Sequence, residues 1–203
     1  LFSLQSKIHV VLGEPLDVFG NRVDDDGVSR DFRDRPIDRT RYVIKNGIVQ
    51  LDAQRDGEYT RELAHAIVQS YRKHTMLKTT NVLCHVVFRW LQEKSQGMDL
   101  YRLLRTGGAE ESIPIPEAYG RIDKVREALR RLADRERVRL DLPLREFETP
   151  TLVHYALAHL SSYHRRAAIE RRGDRLFHED RNLIYFYQNR LDGHVAELQA
   201  ELS

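Results

Sequence analysis

From Val82 to Leu91 the chain runs through apolar residues, interrupted only by His85 and Arg89. A helix over roughly Asn81–Glu93 that carries this run is apolar nearly all round, and such a helix is buried rather than laid on a surface by one stripe. Thr80 or Asn81 stands where a side-chain cap belongs. The run is too short to span a bilayer, which takes about 20 apolar residues.

Other segments show helical spacing with one apolar side. Arg55–His74 carries Leu63, Ile67, Val68 and Tyr71, and Glu117–Arg137 carries Ile122, Val125, Leu129 and Leu132. Met98–Arg105 is a shorter helix ended by Gly107-Gly108. Thr151–Arg172 reads as one helix with Gly173 as its C′ residue. Asp180–Leu202 reads as another, striped by Leu183, Tyr187, Leu191, Val195, Leu198 and Leu202. Strand-type runs are Lys7–Leu12, closed by Gly13-Glu14-Pro15, then Val138–Leu142 and Arg175–Phe177. Arg41–Leu51 predicts a hairpin, because Asn46-Gly47 suits a type I′ turn. Phe19–Arg41 reads as a long excursion with little regular structure, and no internal repeat is seen. The fold class expected is α/β and predominantly helical, with a boundary near Lys78 that separates residues 1–78 from residues 79–203.

Lys and Arg number 33 against 31 Asp and Glu, a net charge of +2. That balance speaks against a nucleic-acid binder, which concentrates positive charge. Apolar residues make up 41% of the chain, enough to supply a core. Cys84 is the single cysteine, so no internal disulfide forms. No signal peptide opens the chain, and it begins at Leu1 without a methionine, so we read it as a fragment.

Candidate chemistry is sparse. His154, His159 and His164 are spaced by five, which turns each about 140° from the last on a helix, so they do not share a face for a metal. Asp24-Asp25-Asp26-Gly27 lacks the alternating ligands of a calcium loop and reads as an acidic turn. Cys84 beside His85 reads as a small buried hydrophobe, since helix neighbours point about 100° apart. There is no G-x-S-x-G, no phosphate-binding loop and no G-x-G-x-x-G. Three helices followed by Val138–Leu142 have the order of a winged helix, with Glu117–Arg137 third, but its interspersed acids oppose DNA binding. Arg165, Arg166, Arg171, Arg172 and Arg175 form a lopsided basic cluster, a candidate surface for anionic lipid or a solvated helix end.

Three stretches, taken in order, resemble a known family. They are His9-Val10-Val11-Leu12-Gly13-Glu14-Pro15-Leu16-Asp17, Thr80-Asn81-Val82-Leu83-Cys84, and Leu183-Ile184-Tyr185-Phe186-Tyr187-Gln188-Asn189-Arg190-Leu191. The trio is similar to the C-terminal portion of the bacterial glycerol-3-phosphate acyltransferases. The resemblance implies an enzyme that moves a fatty acyl group from acyl-CoA or acyl carrier protein, its co-substrates, to glycerol 3-phosphate in phospholipid synthesis. It implies no further cofactor and no metal. It also implies a peripheral place at the cytoplasmic face of the inner membrane, an upstream acyltransferase domain in the same polypeptide as partner, contact with an anionic membrane surface, and no nucleic acid. On this reading residues 1–78 finish an acyltransferase-type sheet and residues 79–203 form a helical C-terminal domain.

The family's catalytic signature, H-x-x-x-x-D, is absent. The residue five after each His, in chain order, is Glu14, Ser70, Thr79, Trp90, His159, His164, Ile169, Leu183 and Gln199. His9 and Glu14 come nearest, yet an extended run of five residues spans roughly 17 Å. No catalytic residue carries over. Gly13, Glu14, Pro15, Asn81, Tyr187, Asn189 and Arg190 remain as the positions that match the family pattern.

Overall fold

Aspartate recurs every seven residues at Asp17, Asp24, Asp31 and Asp38, and each carboxylate ties a turn. Asp17 Oδ1 accepts from the N–H of Phe19 and of Asn21. Asp24 Oδ1 does the same for Asp26 and Val28, and Asp31 Oδ1 for Arg33 and Arg35. Asp38 Oδ1 accepts from the N–H of Thr40. These side chains supply acceptors that a strand ladder otherwise provides. The segment expected to lack a repeat therefore has one, written in turn chemistry rather than in hydrophobic spacing. The acidic run follows the same logic: the Asp24 carboxylate serves its own turn and Arg30, at 2.7 Å.

The computed structural model describes residues 8–107, 111–162 and 164–202, and its contacts divide the chain into Leu1–His74 and Thr75–Ser203. In the first unit β1 (Arg22–Val23) pairs with β2 (Ser29–Arg30), and β3 (Ile44–Lys45) with β4 (Ile48–Val49), both antiparallel. The second hairpin turns at Asn46 and Gly47 with φ of 56° and 77°, the two positive values a type I′ turn requires. Phe19, Tyr42 and Tyr59 form an aromatic trio, with Phe19 stacked on Tyr42 at 4.3 Å. Tyr59 belongs to α1 (Ala53–His74). Residues 8–12, expected as a strand, have no regular structure, and Ile8, Val10 and Leu12 are exposed. Lys7 lies outside the described residues.

The second unit is built on α2 (Thr79–Lys94), whose buried residues include Val82, Leu83, Cys84, Val86, Val87, Phe88, Trp90 and Leu91. β5 (Met76–Leu77) leads into it. After α3 (Leu100–Thr106) and β6 (Ser112–Pro114) comes α4 (Ile115–Asp134), with Ala118, Ile122, Val125, Leu129 and Leu132 buried. β7 (Arg139–Leu140) runs parallel to β5. α5 (Leu142–Glu146) and α6 (Thr149–Ser162) follow, then β8 (Ile169–Arg172), β9 (Arg175–His178), α7 (Arg181–Asp192) and α8 (Val195–Leu202). Helices α7, α6 and α4 pack on α2, and α8 packs on α4. The fold is thus mixed α/β and predominantly helical.

Two expected helices are corrected. Thr151–Arg172 is not continuous: α6 stops at Ser162 and residues 169–172 are strand. Gly173, taken as a helix terminator, sits instead in a two-residue loop, since Arg172 pairs with Arg175. Its φ of 61° serves either role, so the residue alone does not distinguish them. The stripe over Asp180–Leu202 is broken at Gly193-His194, because α7 is committed to α2 and α8 to α4.

The sheet order β6-β9-β8, with a helix before β6 and helices between β6 and β8, is winged-helix-like. The elements differ from those expected. The wing is the β8–β9 hairpin, not Val138–Leu142, and the helix before it is α6, not Glu117–Arg137.

Candidate functional site

Asn81 and Tyr187, from two of the stretches that carry the resemblance, meet in the second unit. Asn81 is the third residue of α2 and is buried. Its Oδ1 accepts from the Lys78 N–H at 2.9 Å, closing one of the open donors at the helix head. Its Nδ2 donates to the Tyr187 carbonyl of α7, also at 2.9 Å. The Tyr187 hydroxyl lies 3.0 Å from His164 Nε2, just beyond α6. Phe88 and Tyr185 pack between the same two helices, ring centroids 5.2 Å apart.

Asn189 and Arg190 are exposed on α7. Gly13, Glu14 and Pro15 are exposed in the first unit, where Glu14 lies 3.9 Å from Lys73. The basic cluster is largely answered by its surroundings. Glu179 receives both Arg166, at 2.7 Å, and Arg172, at 2.5 Å, and Glu170 receives Arg172 at 2.8 Å. Arg175 donates to the Ser112 hydroxyl and carbonyl. Among the described residues, Arg165 and Arg171 are left without a carboxylate partner.

A cavity of about 690 Å³ opens between α2, α4 and α8. Val86, Val125 and Leu198 are apolar parts of its wall, and Arg89, Arg121 and Lys124 bring positive charge. Arg121 is held at 2.8 Å by Glu93 and at 3.1 Å by Glu117. Among the described residues Arg89 has a hydrogen bond to the neutral amide of Gln92, at 3.2 Å, and no ion pair, and Lys124 is exposed with no ion pair either. A Cβ placed on Gly120 would meet nothing within 4 Å, so helix α4 leaves a gap in the wall there.

His85 also lines this cavity and is 5% exposed, with Nδ1 buried and unpartnered. Burial pushes its imidazole down to about 4, helped by the nearby Arg89 cation and opposed by the Gln188 side chain. The ring is therefore neutral near pH 7. Cys84 beside it is fully buried, and desolvation drives its thiol well above the usual range, so it is no thiolate nucleophile.

The sequence carried one signal for this cavity. His85 and Arg89 are the two polar breaks in the apolar run, and at i and i+4 they share a helix face. The gap at Gly120 and the approach of α8 needed the tertiary packing. No family model, no curated protein and no solved structure matches the chain.

Proposed function

We propose that this chain is the non-catalytic C-terminal part of a glycerol-3-phosphate O-acyltransferase of phospholipid synthesis, the second unit serving as a scaffold for an upstream catalytic domain. The observation that carries the reading is the Asn81–Tyr187 hydrogen bond. It joins two segments 106 residues apart that the resemblance singles out on independent grounds. A hydrogen bond that ties the head of α2 to α7 is what a bracing module requires. In the whole enzyme the first unit would complete the acyltransferase sheet, and the acyl donor would be acyl-CoA or acyl carrier protein. The peripheral placement at the inner membrane belongs to the same proposal. No helix among the described residues is long and apolar enough to cross a membrane.

The winged-helix-like strand order favours a second reading, a regulatory or scaffold module without catalysis. Its ligand is not expected to be DNA. Helix α6, in the position that enters the major groove in such folds, contains no Lys or Arg. Phosphate neutralisation by cations supplies most of such binding.

The test is an acyl-transfer assay on the product of the complete reading frame. The expected result is an in-frame H-x-x-x-x-D block upstream of Leu1, turnover with glycerol 3-phosphate by the whole protein, and none by this chain. A reading frame without that block, together with an inactive product, would sink the acyltransferase reading and leave the scaffold.

A further inference from the structure

We propose that the cavity between α2, α4 and α8 is a binding site for a small amphiphilic anion, an aliphatic body bearing one carboxylate. The proposal is independent of the acyltransferase reading. Its volume of about 690 Å³ falls within the range of ligand pockets, about 300–1,000 Å³. Such pockets are mostly apolar with a few placed polar groups. Val86, Val125 and Leu198 provide the apolar part, and Leu202 at 44% exposure extends it toward solvent.

Charge selects the head group. The three cations on the wall face two carboxylates, and both carboxylates are spent on Arg121. Among the described residues, Arg89 and Lys124 have no carboxylate partner. Arg89 is half-buried beside an apolar wall, where its attraction for an anion is screened less than in open water. Gly120 is a second sign of an unfilled site. Glycine inside a helix costs roughly 0.5–1 kcal/mol relative to alanine, and here it keeps the cavity open.

Decanoate, below the concentration at which it self-associates, is the probe, titrated into the full chain by calorimetry. The expected result is saturable one-to-one binding. Decanol, which lacks the charge, is expected to bind at least about tenfold more weakly, and inorganic phosphate, which lacks the chain, not measurably. Gly120→Leu is expected to abolish decanoate binding while the melting temperature stays level or rises, since leucine is the better helix former. The pair Arg89→Gln and Lys124→Gln is expected to weaken decanoate about tenfold and leave decanol unchanged. Vesicles of phosphatidylcholine with phosphatidylglycerol separate a membrane surface from a free ligand. Sedimentation with vesicles that Gly120→Leu abolishes, without saturable binding of free decanoate, would overturn the proposal. So would decanoate binding that survives Gly120→Leu, or equal affinity for decanol.

Discussion

One asparagine fixes both the start of a helix and its neighbour: Asn81 accepts from the Lys78 N–H and donates to the Tyr187 carbonyl, each at 2.9 Å. Replacement by alanine removes a cap and one donor to the part-buried Tyr187 carbonyl. Asn81→Ala is expected to lower unfolding free energy by about 2–3 kcal/mol. Asn81→Asp keeps the cap but sets an acceptor against the Tyr187 carbonyl, and it is expected to cost a comparable amount. Urea unfolding checks both, with the midpoint shifted and the slope unchanged.

His85 makes the fold acid-sensitive. Its folded pKa lies at about 4, below its ordinary value of 6.5. Between those values the unfolded chain binds the extra proton, so stability is complete above about pH 6.5 and falls as pH drops toward 4. The loss at the lower end is on the order of 3 kcal/mol. His85→Leu is expected to flatten that part of the stability profile, measured by urea titration at a series of pH values. An identical slope in both proteins would contradict it.

Helix α8 is fastened by charge to the end of α4 and the turn that follows it. The Glu201 carboxylate accepts from Arg131 at 2.7 Å and from Arg135 at 2.5 Å, and Glu197 accepts from Arg137 Nε at 2.9 Å. Arg131, then Arg135, hold Glu201 below the usual carboxylate range, and Arg137 does so for Glu197. A lowered folded pKa gives stability that is present above the unfolded value and lost as pH falls. Protection factors of the α8 amides, with the intrinsic pH dependence of exchange divided out, are expected to fall at acid pH, in high salt and in Glu201→Gln, while those of α2 stay high.

The Cys84 thiol is fully buried and its ionisation is suppressed by desolvation. A thiol reagent at pH 8 is expected to leave the native protein unmodified for as long as global unfolding takes, and to label it at once in denaturant. Rapid labelling of the folded protein would show that α2 is not enclosed as described.

Gly173 adopts φ of 61° at the tip of the β8–β9 hairpin, where an added Cβ meets nothing within 4 Å. The cost of substitution there is purely conformational. Gly173→Val is expected to destabilise by about 1–2 kcal/mol and Gly173→Asn by less, because asparagine tolerates this region. Thermal melts of the two variants give the comparison.

What could be read in the sequence follows the range of the interaction that wrote it. The Asn46-Gly47 turn and the burial of Val82–Leu91 depend on neighbours in the chain, and both stand in the structure. Residues 164–172 do not continue the expected helix, because Gly173 serves a helix end and a hairpin tip equally well and only the pairing with Ser112–Pro114 decides, whereas Arg175–Phe177 stands as strand. The break at Gly193-His194 is likewise settled by which helices α7 and α8 cover. The aspartates at intervals of seven were visible but have neither a helix nor a strand period, so a search for those periods passes over them. At the cavity, His85 and Arg89 announced a polar face, whereas the gap beside Gly120 exists only once three helices meet.

The partnership of α2 with α7 also bears on how the chain is made. Asn81 waits for an acceptor 106 residues downstream. At roughly 5–20 residues per second, a ribosome adds those residues in about 5–20 s. For that interval the described helix with the most buried residues has emerged without its principal cover. Nascent chains that end before Arg181 are therefore the ones that chaperones should hold, and the ones that should aggregate when synthesis stalls.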